Sequence, residues 1–188
     1  MTPTVVRTID VPAQKWRNGG GATRELLAWP PGGDWQVRVS VADIEADGPF
    51  SAFPGVERWF TALQGGGVEL TVAGTVHRLQ RGDAPLRFAG DAATSCRLID
   101  GPTRDLNLML RGTGGAMLPA VDGQPWLPAG SACGLFTAVA GRCSVGSQDI
   151  EVPAYALLWY EVAPPSLTFN AGQRPAALIG WWLSAMAQ

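Results

Sequence analysis

Residues 35–41 read Trp35-Gln-Val-Arg-Val-Ser-Val41. Apolar side chains take every second position, and Gln36, Arg38 and Ser40 take the positions between them. Successive side chains of a β-strand point to opposite faces, so this period of two predicts a strand with one apolar and one polar face. Residues 105–111, Asp105-Leu-Asn-Leu-Met-Leu-Arg111, alternate in the same way, with three leucines on one face.

The rest of the chain is divided by turn residues into short pieces. The sequence contains 24 Gly and 15 Pro, which leave runs of about five to eight residues, the usual strand length. Residues 69–72, 76–79 and 86–88 are further predicted strands. No long segment keeps a helical period, so we predict an all-β protein with little helix.

A weak internal repeat suggests two similar halves. Phe60-Thr-Ala-Leu-Gln-Gly65 corresponds to Phe136-Thr-Ala-Val-Ala-Gly141, and each segment opens a series of short strands. Chance similarity between two short-stranded segments is the alternative. We place the N-terminal half, with the candidate pocket, at residues 1–115, and the linker and C-terminal half at residues 116–188.

Composition excludes several classes of function. Charged residues make up 16% of the chain and the formal net charge is −2, so no basic surface is available for a nucleic acid. The longest apolar stretch, residues 178–186, is too short to cross a bilayer, and the first 16 residues lack the apolar segment of a signal peptide. We expect a cytoplasmic protein that binds neither nucleic acid nor membrane. The three cysteines lack a CxxC spacing, which favours buried free thiols.

Two glycine-rich segments are candidates for a binding site. Lys15-Trp-Arg-Asn-Gly-Gly-Gly21 is interpreted as a tight turn at an edge strand, and a phosphate loop is the weaker alternative because the Walker pattern is absent. Residues 47–58 contain two prolines, which favours a structured loop that presents Phe50, Phe53 and Arg58. Self-packing of that loop is the alternative.

Arg38 lies on the polar face of the first predicted strand. An enclosed guanidinium needs an acceptor, because burying an unpaired charge is costly. Glu25 or Asp105 would supply one in an internal ion pair, whereas a ligand carboxylate would supply one in a bidentate contact. On the residues alone we favour the internal ion pair, because buried charges are usually paired.

Several motifs in succession resemble the HutD/Ves family, over roughly residues 5 to 185. They are Trp16-Arg-Asn-Gly-Gly-Gly21, Thr23, Glu25, Arg38-Val-Ser40, Gly48-Pro-Phe-Ser51, Phe53-Pro-Gly55, Arg58 and Asp105-Leu-Asn-Leu-Met109. The resemblance implies a cupin-type double-stranded β-helix, with two barrel halves in one bicupin chain. It also implies a link to bacterial histidine utilisation, in which the family is thought to restrain flux by sensing urocanate or a formylated glutamate derivative.

The usual cupin metal site is missing from this sequence. Metal-binding cupins commonly use a His-x-His pair, a Glu and a later His, and this chain has a single histidine, His77. The acidic residues are dispersed, and no Gly-x-Ser-x-Gly elbow supports a hydrolase triad. We therefore predict no metal and no cofactor.

The resemblance implies a ligand pocket in the N-terminal half. Its predicted lining is Lys15, Trp16, Asn18, Thr23, Glu25, Arg38, Ser40, Phe50, Ser51, Arg58, Asp105 and Asn107. We predict a metal-independent protein that binds a small carboxylate and serves histidine utilisation as a regulator or accessory protein. One alternative is an enzyme acting on a small carboxylic acid with Glu25 as its base. The other is a structural or protein-interaction cupin. We expect side chains to fill the interior of the C-terminal half. This half then has a packing role, and a homodimer formed through it is a further hypothesis.

Overall fold

The computed structural model describes residues 2–172 and 178–186. Within these residues the regular structure consists of nineteen β-strands and one 3-10 turn, Thr8–Asp10, without an α-helix. In chain order the strands are β1 (Thr4–Arg7), β2 (Gln14–Lys15), β3 (Gly21–Trp29), β4 (Val37–Ile44), β5 (Gly48–Pro49), β6 (Val56–Gly65), β7 (Val68–Val72), β8 (Thr75–Leu79), β9 (Leu86–Ala89), β10 (Thr94–Leu98), β11 (Thr103–Arg111), β12 (Gly115–Pro119), β13 (Pro125–Trp126), β14 (Ala132–Thr137), β15 (Gly141–Val145), β16 (Gln148–Val152), β17 (Ala156–Tyr160), β18 (Leu167–Ala171) and β19 (Gly180–Ala185). The prediction of an all-β protein is confirmed.

The chain forms two compact units, and the first eleven residues lie with the C-terminal one. The N-terminal unit is Pro12–Gly112, and the C-terminal unit combines Met1–Val11 with Thr113–Gln188. Strand β1 explains this assignment because it pairs antiparallel with β17. The predicted boundary placed residues 1–11 in the N-terminal half, and short-range sequence patterns give no sign of a pairing over that distance.

The two units repeat one strand topology. In the N-terminal unit, one sheet has the order β2-β3-β4-β11-β6-β9 and the other has the order β5-β10-β7-β8. In the C-terminal unit, the sheets have the orders β1-β17-β14-β19-β12 and β13-β18-β15-β16. Four neighbouring strands of the first sheet, β4-β11-β6-β9, correspond in order to β12-β19-β14-β17 in the C-terminal unit. The two four-stranded sheets also correspond strand for strand. The predicted repeat is confirmed at the level of strand order.

The sequence repeat does not predict which way the repeated side chains point. Phe60 belongs to the apolar cluster between the two sheets of the N-terminal unit. In the C-terminal unit the corresponding cluster contains Cys133 and Leu135, so Phe136 faces the other side of β14. The matched phenylalanines therefore occupy opposite faces of their strands.

Side chains fill the space between the two sheets of the C-terminal unit. Leu135, Leu158, Phe169 and Trp182 pack there in one buried cluster. The Trp182 ring stacks on Trp126, with ring centroids 4.8 Å apart and ring planes at 8°. Large aromatic side chains thus occupy the interior of this unit, as expected from its apolar sequence.

No helix among residues 2–172 and 178–186 has the length and hydrophobicity that a membrane span needs.

Residues 15–21 form the predicted tight turn, which joins edge strand β2 to β3. The Trp16 amide donates to the Gly21 carbonyl at 2.9 Å, and the Gly19 amide donates to the Trp16 carbonyl at 3.1 Å. Gly19 has a φ of +73°, which glycine adopts without steric penalty. At Gly21, a Cβ would lie 2.2 Å from the Asp43 carbonyl oxygen and 3.0 Å from the Trp16 ring. The sequence therefore requires glycine at two of these positions for different reasons.

We predict that Gly21→Ala lowers the free energy of unfolding by about 1–3 kcal/mol, because the added methyl group overlaps backbone and a packed ring. Urea denaturation followed by tryptophan fluorescence measures the change. Gly48→Ala is the matched control, since the nearest atom to its Cβ would be Asn18 Nδ2 at 3.9 Å. Equal stability of the two variants would contradict the prediction.

Candidate functional site

The period of two places polar side chains on one face of the six-stranded sheet. In β4 the side chains of Val37, Val39 and Val41 are fully buried on the opposite face. Strand β11 pairs with β4 on one side and with β6 on the other. Two cross-strand rows result, which are Arg38–Met109–Arg58 and Ser40–Asn107–Phe60. The faces predicted for residues 35–41 and 105–111 are confirmed where these segments form strands, but β4 begins at Val37, so Trp35 and Gln36 precede it.

This polar face borders a cavity of about 570 Å³ in the N-terminal unit. The volume lies in the range of small-molecule sites. Eleven of the twelve predicted site residues line it, and the exception is Glu25. The described residues that line it are Gln14, Lys15, Trp16, Arg17, Asn18, Thr23, Arg38, Ser40, Ala42, Pro49, Phe50, Ser51, Phe53, Arg58, Asp105, Asn107 and Met109.

Asn107 connects the two buried charged groups of the cavity. Nη2 of Arg58 donates to Oδ1 of Asn107 at 3.0 Å, and Nδ2 of Asn107 donates to Oδ1 of Asp105. The exposed fractions are 5% for Arg58, 6% for Asn107 and 0% for Asp105. One further atom of each charged group, Nε of Arg58 and Oδ2 of Asp105, is buried without a hydrogen-bond partner among the described residues. Buried polar groups are nearly always paired, so each of these two atoms lacks the partner that is usual in such surroundings.

Aromatic rings surround the Arg58 guanidinium. Its Cζ lies 5.1 Å from the ring centroid of Phe50, 5.6 Å from that of Phe53 and 5.0 Å from that of Phe88. The rings offer the cation favourable quadrupole contacts but no hydrogen-bond acceptor. Burial lowers the pKa of Arg58 to about 10, with the charge of Asp105 opposing the shift. The group still carries its positive charge at neutral pH.

Arg38 forms an internal ion pair with Glu25, as predicted from the sequence. Its Nε donates to Oε2 of Glu25 at 2.6 Å, and its Nη1 lies 3.6 Å from Sδ of Met109. The Glu25 side chain is 40% exposed, and that of Arg38 is 18% exposed. Arg38 borders the cavity with its charge already paired, whereas Arg58 has only a neutral hydrogen-bond partner.

The predicted loop at residues 47–58 needs one correction. Arg58 lies in strand β6, and β5 forms a two-residue strand that pairs with β10. The Gly-rich composition hid the start of β6, because the strand follows directly after the turn at Gly55. The loop does hold both phenylalanines in place. The Phe50 amide donates to the Thr94 carbonyl at 2.9 Å, and the Phe53 amide donates to the Gly90 carbonyl at 2.7 Å.

The hairpin at the N-terminus of this unit forms another wall of the cavity. Nε1 of Trp16 donates to Oγ1 of Thr23 at 2.8 Å, which fixes the indole against β3. Oδ1 of Asn18 accepts the Gly20 amide at 3.0 Å. These three predicted residues, Trp16, Asn18 and Thr23, thus have a structural role in addition to lining the cavity.

Some lining residues were missed by sequence reasoning. These are Gln14, Arg17, Ala42, Pro49, Phe53 and Met109. The sequence contained evidence for two of them, since Phe53 belongs to the predicted loop with Phe50 and Met109 shares a strand face with Asn107. Phe88 is not a lining residue, but its ring covers the Arg58 guanidinium. The sequence contained no evidence for this contact, because it depends on the pairing of β9 with β6.

The described residues do not fit a divalent metal. No group of three or more His, Cys, Asp or Glu in residues 2–172 and 178–186 is placed to hold one. His77 lies on β8 and is not part of the cavity lining. The lining holds the cationic groups of Lys15, Arg17, Arg38 and Arg58, which disfavour a further cation. The residues present do not match a metal-binding cupin.

Two units of one topology, each built from two facing antiparallel sheets, define a bicupin. The cupin 2 conserved barrel domain protein from Leptotrichia buccalis has a similar fold, with a TM-score of 0.59 over 100% of this chain and 98% of that chain, at 9% identity. The chain belongs to the HutD family, whose model matches residues 8–178. The family resemblance expected from the motifs is confirmed.

Relatives of known name agree with this assignment. Protein Ves of Citrobacter koseri is 38% identical over 141 residues, which is 73% of each chain. The structure of HutD from Pseudomonas fluorescens SBW25, in a formate condition, is similar over 100% of both chains, with a TM-score of 0.84 and 27% identity.

We predict that Arg58→Met changes the free energy of unfolding by less than about 2 kcal/mol, because removal of the buried cation offsets the loss of the hydrogen bond to Oδ1 of Asn107. A buried cation with an unpartnered Nε is costly, and a methionine of similar length keeps the contacts with the phenylalanines. Urea denaturation checks this, with the exposed Arg87→Met on neighbouring β9 as control. A loss of about 3–5 kcal/mol, as expected when a compensated buried ion pair is broken, would contradict the prediction.

Proposed function

We propose that this protein is a metal-independent receptor for a small carboxylate, and that the ligand binds in the cavity of the N-terminal unit. The observation that carries the proposal is Arg58, whose side chain lines the cavity and whose Nε is buried without an acceptor among the described residues. A carboxylate supplies the missing acceptor in a charge-assisted hydrogen bond.

The charges of the lining support an anionic ligand. Lys15, Arg17, Arg38 and Arg58 are cationic, and Asp105 is the single acidic residue among the described residues of the lining. The Asp105 charge is opposed by burial, which raises the pKa of its carboxyl well above the usual range. The cavity therefore carries a positive potential, which attracts a carboxylate.

Neutral groups support a ligand that also has polar atoms away from its carboxylate. Ser40 and Asn107 are buried on the same sheet face, and Asn18 and Ser51 line the cavity from the surrounding turns. Small-molecule sites typically combine a few such groups with apolar walls, here Trp16, Phe50 and Phe53. We propose urocanate or a formylated glutamate derivative as the ligand, which gives the protein a regulatory or accessory role in cytoplasmic histidine utilisation.

No observation favours the enzymatic alternative. Glu25, its base in that hypothesis, does not line the cavity, and its carboxylate accepts a hydrogen bond from Arg38. An interior filled by side chains would favour the alternative of a structural or protein-interaction cupin, whereas the N-terminal unit has a cavity of about 570 Å³.

We predict saturable binding of at least one of three compounds, urocanate, N-formylglutamate and formiminoglutamate, in isothermal titration calorimetry. Arg58→Met is expected to weaken that binding by at least about tenfold, since a hydrogen bond to a charged group contributes ~1.5–3 kcal/mol. Arg87→Met removes an exposed arginine outside the cavity and is expected to bind like the wild type. Failure of all three compounds at millimolar concentration would count against the proposed ligands, and equal binding by both variants would count against Arg58 as the anchor.

A further inference from the structure

Asp105 is the buried acidic group that the proposed function leaves without a role. It is fully buried, it belongs to the cavity lining, and its Oδ1 accepts a hydrogen bond from Asn107. Its Oδ2 is buried without a partner. The amide of Asn107 accepts from Arg58 through its oxygen and donates to Oδ1 of Asp105 through its nitrogen, and neither bond involves Oδ2.

Protonation of the Asp105 carboxyl group decides whether Oδ2 accepts or donates a hydrogen bond. An ionised carboxylate only accepts hydrogen bonds, and so does the carboxylate of a ligand. Two ionised carboxylates in one cavity repel each other, and this repulsion raises the pKa of one of the two carboxyl groups. If one of the two carboxyl groups is protonated, it instead donates a charge-assisted O–H···O hydrogen bond to the other.

Charged groups face Asp105 from the neighbouring strands. Arg58 on β6 favours its ionised form, while Asp43 on β4 disfavours it. Asp43 itself is paired with Arg24 and Arg104, both at 2.6 Å. Cys96 on β10 is near enough for its thiol to sense the charge of Asp105, and burial raises the pKa of that thiol to about 12, so it stays neutral. Arg58 is thus the main group that opposes protonation of Asp105, and a bound anion offsets its charge.

We infer that Asp105 is a specificity-determining residue that is protonated when the cavity is loaded, and that its Oδ2 donates a hydrogen bond to an oxygen of the bound carboxylate. The inference rests on the proposed function. Where Asp105 is ionised in the free protein, binding takes up one proton from solvent. Where it is already neutral, the site is preorganised for an anion.

The direction of the pH dependence follows from this proton. Burial raises the pKa of Asp105, so the neutral form persists above the range of an ordinary aspartate. Affinity for a carboxylate is constant below the pKa of Asp105 in the free protein and falls by about tenfold per pH unit above it. Asp105→Asn replaces the O–H donor by an N–H donor of similar shape, and its affinity is independent of pH in the same range.

The test uses N-formylglutamate, whose carboxyl groups are ionised above about pH 5. Infrared difference spectra of the loaded protein at about pH 8 are expected to contain the C=O stretch of a protonated carboxyl group, since ordinary aspartates are ionised there. The band is expected to be absent from Asp105→Asn and present in Asp34→Asn, which removes an exposed carboxylate outside the cavity. Calorimetry over rising pH then compares the affinities of the three proteins.

Each outcome decides the inference. A protonated carboxyl band in the loaded wild type that Asp105→Asn lacks supports it, as does a pH-dependent loss of affinity confined to the wild type and Asp34→Asn. Binding without that band overturns the inference alone, because Asp105 is then ionised beside the ligand. Absence of binding in every protein overturns the proposed function and the inference together. Should Asp105→Asn fail to fold, the band in loaded wild type and its absence from free protein at high pH give the same decision.

Discussion

The antiparallel pairing of β4, β11 and β6 is the constraint on which the site depends. Side chains in a strand alternate with a period of two, so a shift of one residue in either pairing would exchange the two faces of that strand. The observed register instead aligns Arg38, Met109 and Arg58 in one row and buries the valines of β4 on the opposite face. Polar groups therefore meet inside the unit because apolar groups fix the register from the other side.

The two units show that this fold does not require a charged interior. Strand β14 turns Cys133 and Leu135 inward, and β19 contributes Trp182 to the same cluster. The corresponding strands of the N-terminal unit, β6 and β11, contribute Arg58, Asp105 and Asn107 to a cavity. Among the described residues, buried charge occurs in the N-terminal unit alone, and because buried charge opposes folding unless it is compensated, this agrees with a role in binding.

Two short local structures form further walls of the cavity. The Gly-rich turn holds the Trp16 indole against Thr23, and backbone hydrogen bonds of the following loop fix Phe50 and Phe53 near Arg58. These contacts replace water around the guanidinium with aromatic surface. A cation in such surroundings interacts more strongly with an incoming anion than it would at an exposed position.

The sequence by itself determined the all-β class, the polar and apolar faces of β4 and β11, the turn at residues 15–21 and the repeat of the two halves. These features depend on local periodicity and on turn residues, which a single chain displays directly. The family motifs also indicated most of the cavity lining. Tertiary structure decided the rest: that β1 joins the C-terminal unit, that Glu25 and not Asp105 pairs with Arg38, and that Phe88 covers Arg58. Each of these depends on which distant strands become neighbours, and a period of two carries no information about the identity of the neighbour.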